Sequence, residues 1–196
     1  MNFYNGMFIG GGKGTGLIDS FVLKDYNNKP YIPGSTVKGK VKHNYTMLVN
    51  SFLEERDFHI SQIFGQGGNS QGTLYFEDLK LQDNCISDKY LYDTRTGILV
   101  NRYNNQVKDQ ALFQYEVSGI SEEQKFAGGI EGYIDKESYK KQIILLYTAI
   151  RMVETIGGNQ SRGLGWLGED CQVKIYLDNR YIDEDALRNW GDEVEV

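Results

Sequence analysis

The chain has 196 residues, 40% of them hydrophobic and 24% charged, which suits one domain with one core, or one domain carrying a long insertion. Its 23 glycines stand beside 14 tyrosines and 9 phenylalanines, a mixture that excludes linker or disordered composition and points to ordered loops where backbone comes close to a ligand. The net charge of −6 is unevenly spread: residues 178–196 hold seven acids and two bases, whereas Tyr26 to Leu53 holds four lysines and no acid, so a basic face can coexist with an acidic tail. No secretory leader is expected, and no apolar run approaches the roughly 18 residues that a membrane span needs. Cys85 and Cys171 lack partners at ligand spacing and read as reduced thiols of a cytoplasmic protein rather than a zinc site.

Asn2 to Ile9 reads as a first strand, and Gly10-Gly11-Gly12-Lys13-Gly14-Thr15-Gly16 as a loop. Leu17 to Lys24 is mostly apolar, and a turn follows at Asp25–Pro30. Pro33-Gly34-Ser35 is a break with a helix cap candidate. Val37, Val41, Tyr45, Leu48 and Phe52 then recur at helical spacing, which predicts a helix with one apolar stripe. Lys38 and Lys42 share a different face of it. Ile63 to Gly72 is a loop, and Thr73 to Leu81 reads as one strand. Asp83 to Asp109 has no sustained period and is expected to be a functional insertion. Ala111 to Val117 and Lys125 to Ile134 read as strands, and Ser138 to Ile156 as a second helix ended by Gly157-Gly158. The glycine loop Asn159 to Gly168 follows, then a last strand at Cys171 to Leu177 and an exposed acidic tail. The order β, α, β, insertion, β, α, β predicts an α+β, ferredoxin-like (RRM-like) βαββαβ fold.

Two segments point to phosphate. The first glycine loop is not a P-loop: Gly12-Lys13 is followed by Gly14 rather than Ser or Thr, and the position five before Gly12 is Met7. Either its backbone packs against another phosphate chain or it is a flexible turn. In Pro33 to Lys42, the helix start offers unpaired N–H groups, Ser35 and Thr36 add hydroxyls, and Lys38 and Lys42 add charge. Gly39 costs the helix about 1 kcal/mol, which asks for a compensating use. The plain alternative is a solvated lysine face. His43 and His59 fit no catalytic motif.

Gly16-Leu17-Ile18-Asp19-Ser20-Phe21-Val22, followed by Pro30-Tyr31-Ile32-Pro33-Gly34-Ser35-Thr36-Val37-Lys38-Gly39, resembles the N-terminal signature of RAMP proteins, and within them the repeated backbone subunit of type III CRISPR (Csm and Cmr) effector complexes. Ile63-Phe64-Gly65 with Leu74-Tyr75-Phe76-Glu77-Asp78 resembles the family's central element. Asp93-Thr94-Arg95-Thr96-Gly97 resembles the start of its thumb insertion, and Gly157 to Gly165 its C-terminal glycine-rich loop. Where the family often carries a histidine, this chain has Phe8.

The resemblance implies a single RAMP domain over 1–177, with a thumb-like insertion at about 83–110 and an acidic tail over 178–196. It implies partners: guide RNA (crRNA), complementary target RNA, copies of the chain and other effector subunits, with no membrane. It implies that Gly10, Gly11, Gly12, Lys13, Ser35, Thr36, Lys38, Gly39, Lys42, Ser161, Arg162 and Gly163 contact RNA. It implies cleavage of guide-paired target RNA with a divalent metal, expected to be Mg2+, through Asp19; Asp93 and Glu116, in or near the insertion, are further candidates. Asp19 can act as a base on the 2′-hydroxyl, orient it, or recruit the metal. Two rivals stand beside this: a catalytically inactive RAMP scaffold, and a stand-alone ferredoxin-like enzyme for a small phosphorylated ligand.

Overall fold

The computed structural model describes residues 1–3, 5–14, 18–52, 60–68, 70–82, 91–101, 103–104, 106–119, 124–168 and 171–193. His59, Cys85 and the opening of the expected insertion, 83–90, lie outside the described residues. The chain forms two compact units, one from residues 1–32, 79–127 and 155–169, the other from 33–78, 128–154 and 170–196.

The first unit holds two sheets. In one, β1 (Asn2–Phe3) pairs with β9 (Gln124–Ala127), β9 with β6 (Leu79–Leu81), and β6 with β4 (Tyr31–Ile32), all antiparallel. A bridge from Phe3 to Leu167 adds a short last strand beside β1. Taken without β4, the spatial order is last, first, third, second, which is the ferredoxin-like order. The last strand is therefore Trp166–Leu167, not Cys171–Leu177. Buried apolar residues at alternate positions, Phe3 with Phe126 edge-to-face at 5.6 Å, hold this sheet.

The second sheet runs β2 (Gly10–Lys13), β3 (Ser20–Val22), β8 (Val107–Ser118), β7 (Tyr92–Val100). The Gly10–Lys13 stretch, expected as a loop, is a strand: Gly10 pairs with Val22 and Lys13 with Ser20 across a bulge. A Cβ on Gly11 would press on the Leu23 backbone at 3.0 Å, so glycine permits this close pairing. β7 and β8 form one long antiparallel hairpin; β7 and the start of β8 lie in the segment that showed no period, and the rest of β8 contains the expected strand Ala111 to Val117.

In the second unit, α1 (Gly34–Phe52) buries Val37, Val41, Tyr45 and Val49. Tyr45 meets Phe64 of α2 (Ile60–Phe64), ring centroids 5.3 Å apart. Burial pushes the Tyr45 hydroxyl well above its ordinary pKa. α1 lies against α3 (Tyr139–Arg151), where Asn44 Nδ2 donates to the Ala149 carbonyl at 3.1 Å. β5 (Leu74–Phe76) pairs with β10 (Ile130–Gly132). Thr73–Leu81 and Lys125–Ile134 are thus each divided between two sheets. Side-chain bonds explain the first division: Glu77 Oε2 accepts from the Gly129 amide at 2.9 Å and Asp78 Oδ1 from the Gly34 amide at 2.8 Å.

The acidic C-terminal stretch is structured rather than a tail. β11 (Ile175–Leu177) and β12 (Arg180–Ile182) join through Asp178 and Asn179, both at positive φ, the conformation of a tight hairpin turn. α4 (Glu184–Glu193) is capped by Asp183, whose Oδ1 accepts from the Ala186 amide. Leu187 is buried and Trp190 meets Tyr139 edge-on, which anchors α4 on α3. Among the described residues no helix is long and apolar enough to cross a membrane.

Candidate catalytic site and nucleic-acid interface

Asp19 is exposed at the start of β3. Contacts with Gly14 hold it: the Gly14 amide donates to the Asp19 carbonyl at 2.7 Å, and a Cβ on Gly14 would collide with the Ile18 carbonyl. The Asp19 amide donates to the Gln114 carbonyl at 2.8 Å, and the Gln114 amide donates back to Asp19 Oδ2 at 2.7 Å. The carboxylate is thus clamped to β8 by one oxygen. Among the described residues no hydrogen bond reaches Oδ1.

The residue before Gln114 carries a cation over its ring. Arg162 is exposed at the end of a 3-10 turn (Gln160–Arg162), and its guanidinium lies 5.2 Å from the Phe113 ring centroid. Phe113 stacks on Tyr115, centroids 5.9 Å apart, and Tyr115 meets Phe8 edge-to-face at 5.7 Å. Gly97 faces Phe113 across the hairpin, and a Cβ there would strike the ring. Glycine at 97 therefore leaves room for the ring beneath Arg162.

The C-terminal glycine loop fits around Phe8. The Gly158 amide donates to the Phe8 carbonyl at 2.7 Å, and a Cβ on Gly157, at φ +97°, would meet that oxygen at 2.5 Å. Phe8, standing where a histidine is usual in the resembling family, packs against the cluster of Tyr115, Val117 and Leu164. Ser161 is exposed, and Gly163 at φ +79° has open space around its α-carbon, as does Gly12 at φ +138°. Gly10 and Gly11 are exposed on β2.

The other two acids stand apart from Asp19. Asp93 is exposed on β7 opposite Val117, three register positions from Gln114. That is about 10 Å along the sheet from the Asp19 anchor, plus a strand spacing of about 5 Å. Its Oδ1 accepts from the Thr94 amide at 2.7 Å. Glu116 is buried; Oε2 accepts from the Val22 amide at 3.1 Å and Oε1 from Lys24 Nζ at 2.9 Å. Among the described residues, no three His, Cys, Asp or Glu side chains gather as a metal cage. One open carboxylate oxygen still fits Mg2+, which binds through one or two carboxylates and completes its shell with water and substrate phosphate.

In the second unit the start of α1 is filled from within. The Gly34 amide goes to Asp78, and the Thr36 and Val37 amides go to the Pro33 carbonyl at 2.9 and 3.3 Å. A phosphate at this point would also face the Asp78 carboxylate. Lys42 Nζ donates to the Gly65 carbonyl at 3.0 Å. Ser35 and Gly39 are exposed, Thr36 and Lys38 half-buried. A Cβ on Gly39 would meet nothing within 4 Å, so no contact within the chain requires glycine there.

Sequence reasoning missed Phe113, Gln114 and Lys24. Phe113 and Gln114 carried no signal, because a ring under an arginine and a backbone amide are visible only once β8 is paired.

A family model described as the RAMP superfamily matches residues 5–168. No curated protein matches the chain. Among solved structures, a chain of "Type III-B Cmr-beta bound to cognate target RNA" is similar, with TM-score 0.57, 14% identity, and coverage of 84% of this chain and 94% of that one. A chain of the apo state of Type III-B Cmr-beta is similar with TM-score 0.56, 14% identity and the same coverage.

Proposed function

The chain belongs to the RAMP superfamily, and from that premise we propose that it is a guide-RNA-binding backbone subunit of a type III CRISPR effector complex that cuts the guide-paired target RNA. One observation carries the catalytic part: an acid and a base of opposite charge, Asp19 and Arg162, meet β8 at the adjacent residues Gln114 and Phe113. RNA brings its own nucleophile, the 2′-hydroxyl. Asp19 Oδ1 accepts or orients that proton while Oδ2 stays clamped to the Gln114 amide. Arg162, held over Phe113, meets the charge that grows on the phosphate. Mg2+ would take Asp19 Oδ1 as its protein ligand in place of that proton contact, with water and RNA phosphate as the rest, and would then stabilise the same charge.

The open backbone at Gly12 and Gly163 suits close approach of a ribose–phosphate chain, with Gly10, Gly11, Lys13 and Ser161 beside them. On α1, Ser35, Thr36 and Lys38 offer hydroxyls and charge, and Gly39 offers bare backbone. Lys42 does so only by leaving the Gly65 carbonyl. Contacts of this kind read backbone rather than sequence. The exposed hairpin serves as the thumb that enters the guide–target duplex.

Gly39 separates a bound helix from a merely solvated one. Gly39→Ala should raise the stability of the free chain by about 0.5–1 kcal/mol and yet weaken RNA binding. Unchanged affinity would remove α1 from the interface. The function as a whole is tested by purification with its partners: co-eluting RNA of fixed length and salt-sensitive retention are expected, whereas a nucleic-acid-free monomer at 22.4 kDa would favour the small-ligand enzyme. A scaffold without catalysis is the second reading. It draws on Phe8 in the histidine position and on the distance of Asp93 from Asp19.

A further inference from the structure

We infer that Glu116 and Lys24 form a clasp that positions Asp19, so that Glu116 is a positioning residue and not a second catalytic acid. The inference rests on the reading of Asp19 as the cutting residue, and deepens it.

β3 is three residues long and pairs with β8 in parallel at Ser20 and Tyr115. β2 pairs its other edge, but toward β8 one register pair does not fix so short a strand. It is pinned at two points. At one end Asp19 exchanges hydrogen bonds with Gln114 through both its amide and Oδ2. At the other end Glu116, two residues further along β8, takes the Val22 amide on Oε2 and the Lys24 ammonium on Oε1. Both carboxylate oxygens are engaged within the protein, and the residue is 8% exposed, so neither oxygen is offered to RNA.

Lys24 is itself enclosed. Its ammonium lies 3.9 Å from the Tyr92 ring centroid and 5.9 Å from that of Phe21. The Tyr92 hydroxyl donates to the Asn28 carbonyl at 2.6 Å, which ties β7 to the turn after β3. Burial and then the nearby charges of Glu116 and Asp25 push the Tyr92 hydroxyl well above its usual pKa, so it stays a neutral donor. The ion pair thus closes a ring of contacts around the far end of β3. A part-buried pair of this kind is weak support for stability in general, but its geometry fixes register. Register matters here, because the Asp19 carboxylate is aimed only while its own strand stays aligned with Gln114.

The test uses the full chain and its assembled complex. In the free chain, Glu116→Gln and Lys24→Met should speed hydrogen exchange at the Asp19 amide by about tenfold or more, with exchange in α1 unchanged. Lys24→Arg, which keeps a cation in reach of Glu116, should restore protection. In the complex, Glu116→Gln should lower the single-turnover cutting rate by about a hundredfold at unchanged RNA affinity, as a misplaced catalytic group does. Unchanged exchange at Asp19, or exchange raised equally in α1, would overturn the clasp. So would wild-type cutting by Glu116→Gln in a complex where Asp19→Ala is dead. If wild-type complex does not cut at all, the catalytic reading fails, and the exchange result alone decides whether the clasp exists.

Discussion

Replacing Asp19 by alanine should reduce target-RNA cutting in the assembled complex by about a hundredfold to ten-thousandfold, the range that a positioned general base supplies. RNA retention should not change, because the residue offers one exposed carboxylate oxygen and no positive charge. The alanine variant also loses the bond from the Gln114 amide to Oδ2, so a second variant is needed. Asp19→Asn keeps an oxygen to accept from Gln114 and can hold the same turn, yet it cannot take a proton. Both variants should be inactive. An active Asp19→Asn would mean that the residue only caps the Gln114 amide. Full activity in both would leave the scaffold reading standing.

The second large effect concerns the β7–β8 hairpin. Ile98, Leu99, Val100, Val107 and Leu112 are each 43% exposed or more, and Tyr103 at its turn is fully exposed. Ile98 and Leu112 pair directly across the strands. An exposed ribbon that is apolar on both faces has no reason in the free chain and marks an interaction surface. Apolar side chains that enter a nucleic-acid stack pay for the unstacking with the contacts that the bent duplex allows. Replacing Ile98, Leu99, Tyr103 and Leu112 by serine should leave the stability of the chain within about 0.5 kcal/mol per site, as exposed positions do. Cutting should fall by about a hundredfold, because the phosphate beside Asp19 is no longer held in line. Fragment ends should also lose their regular spacing. A variant that cuts normally and at the same positions would show that the hairpin is not a wedge.

β7 and the tip of that hairpin were the least legible part of the fold, although Ala111 to Val117 of β8 read as a strand. Burial drives alternation, and a ribbon exposed on both faces shows none, so its sequence reads as irregular. Gly10–Lys13 misled for a related reason: glycine composition signals a loop, but this strand is held by backbone pairing with β3 and needs no side chains. The break after Phe76 depends on Glu77 reaching Gly129 and Asp78 reaching Gly34, contacts across some 50 positions that no local pattern carries. In the C-terminal stretch the signal was present. Asp178-Asn179 between Ile175–Leu177 and Arg180–Ile182 is a hairpin turn dipeptide, and acidic charge obscured it.

The two longest helices, α1 and α3, were legible because burial of one stripe imposes their period. Val37, Val41 and Tyr45 fall where the spacing put them, and Val49 takes a core position in place of Leu48, which is half-buried. The candidate site was legible in its parts and not in its assembly. Asp19, Arg162 and the glycines were singled out by type and order. Their meeting point on β8, and the use of Glu116 by Lys24 and Val22, needed the pairing of three strands.

Asp19, as proposed, acts on the 2′-hydroxyl of RNA held against β8. The direct measurement is cutting of a target RNA carrying a single 2′-deoxy sugar at one mapped cut position, compared with the all-ribose target. The wild-type complex should cut every position except the substituted one, and the Asp19→Asn complex none. Cutting at the deoxy position at an undiminished rate would contradict it.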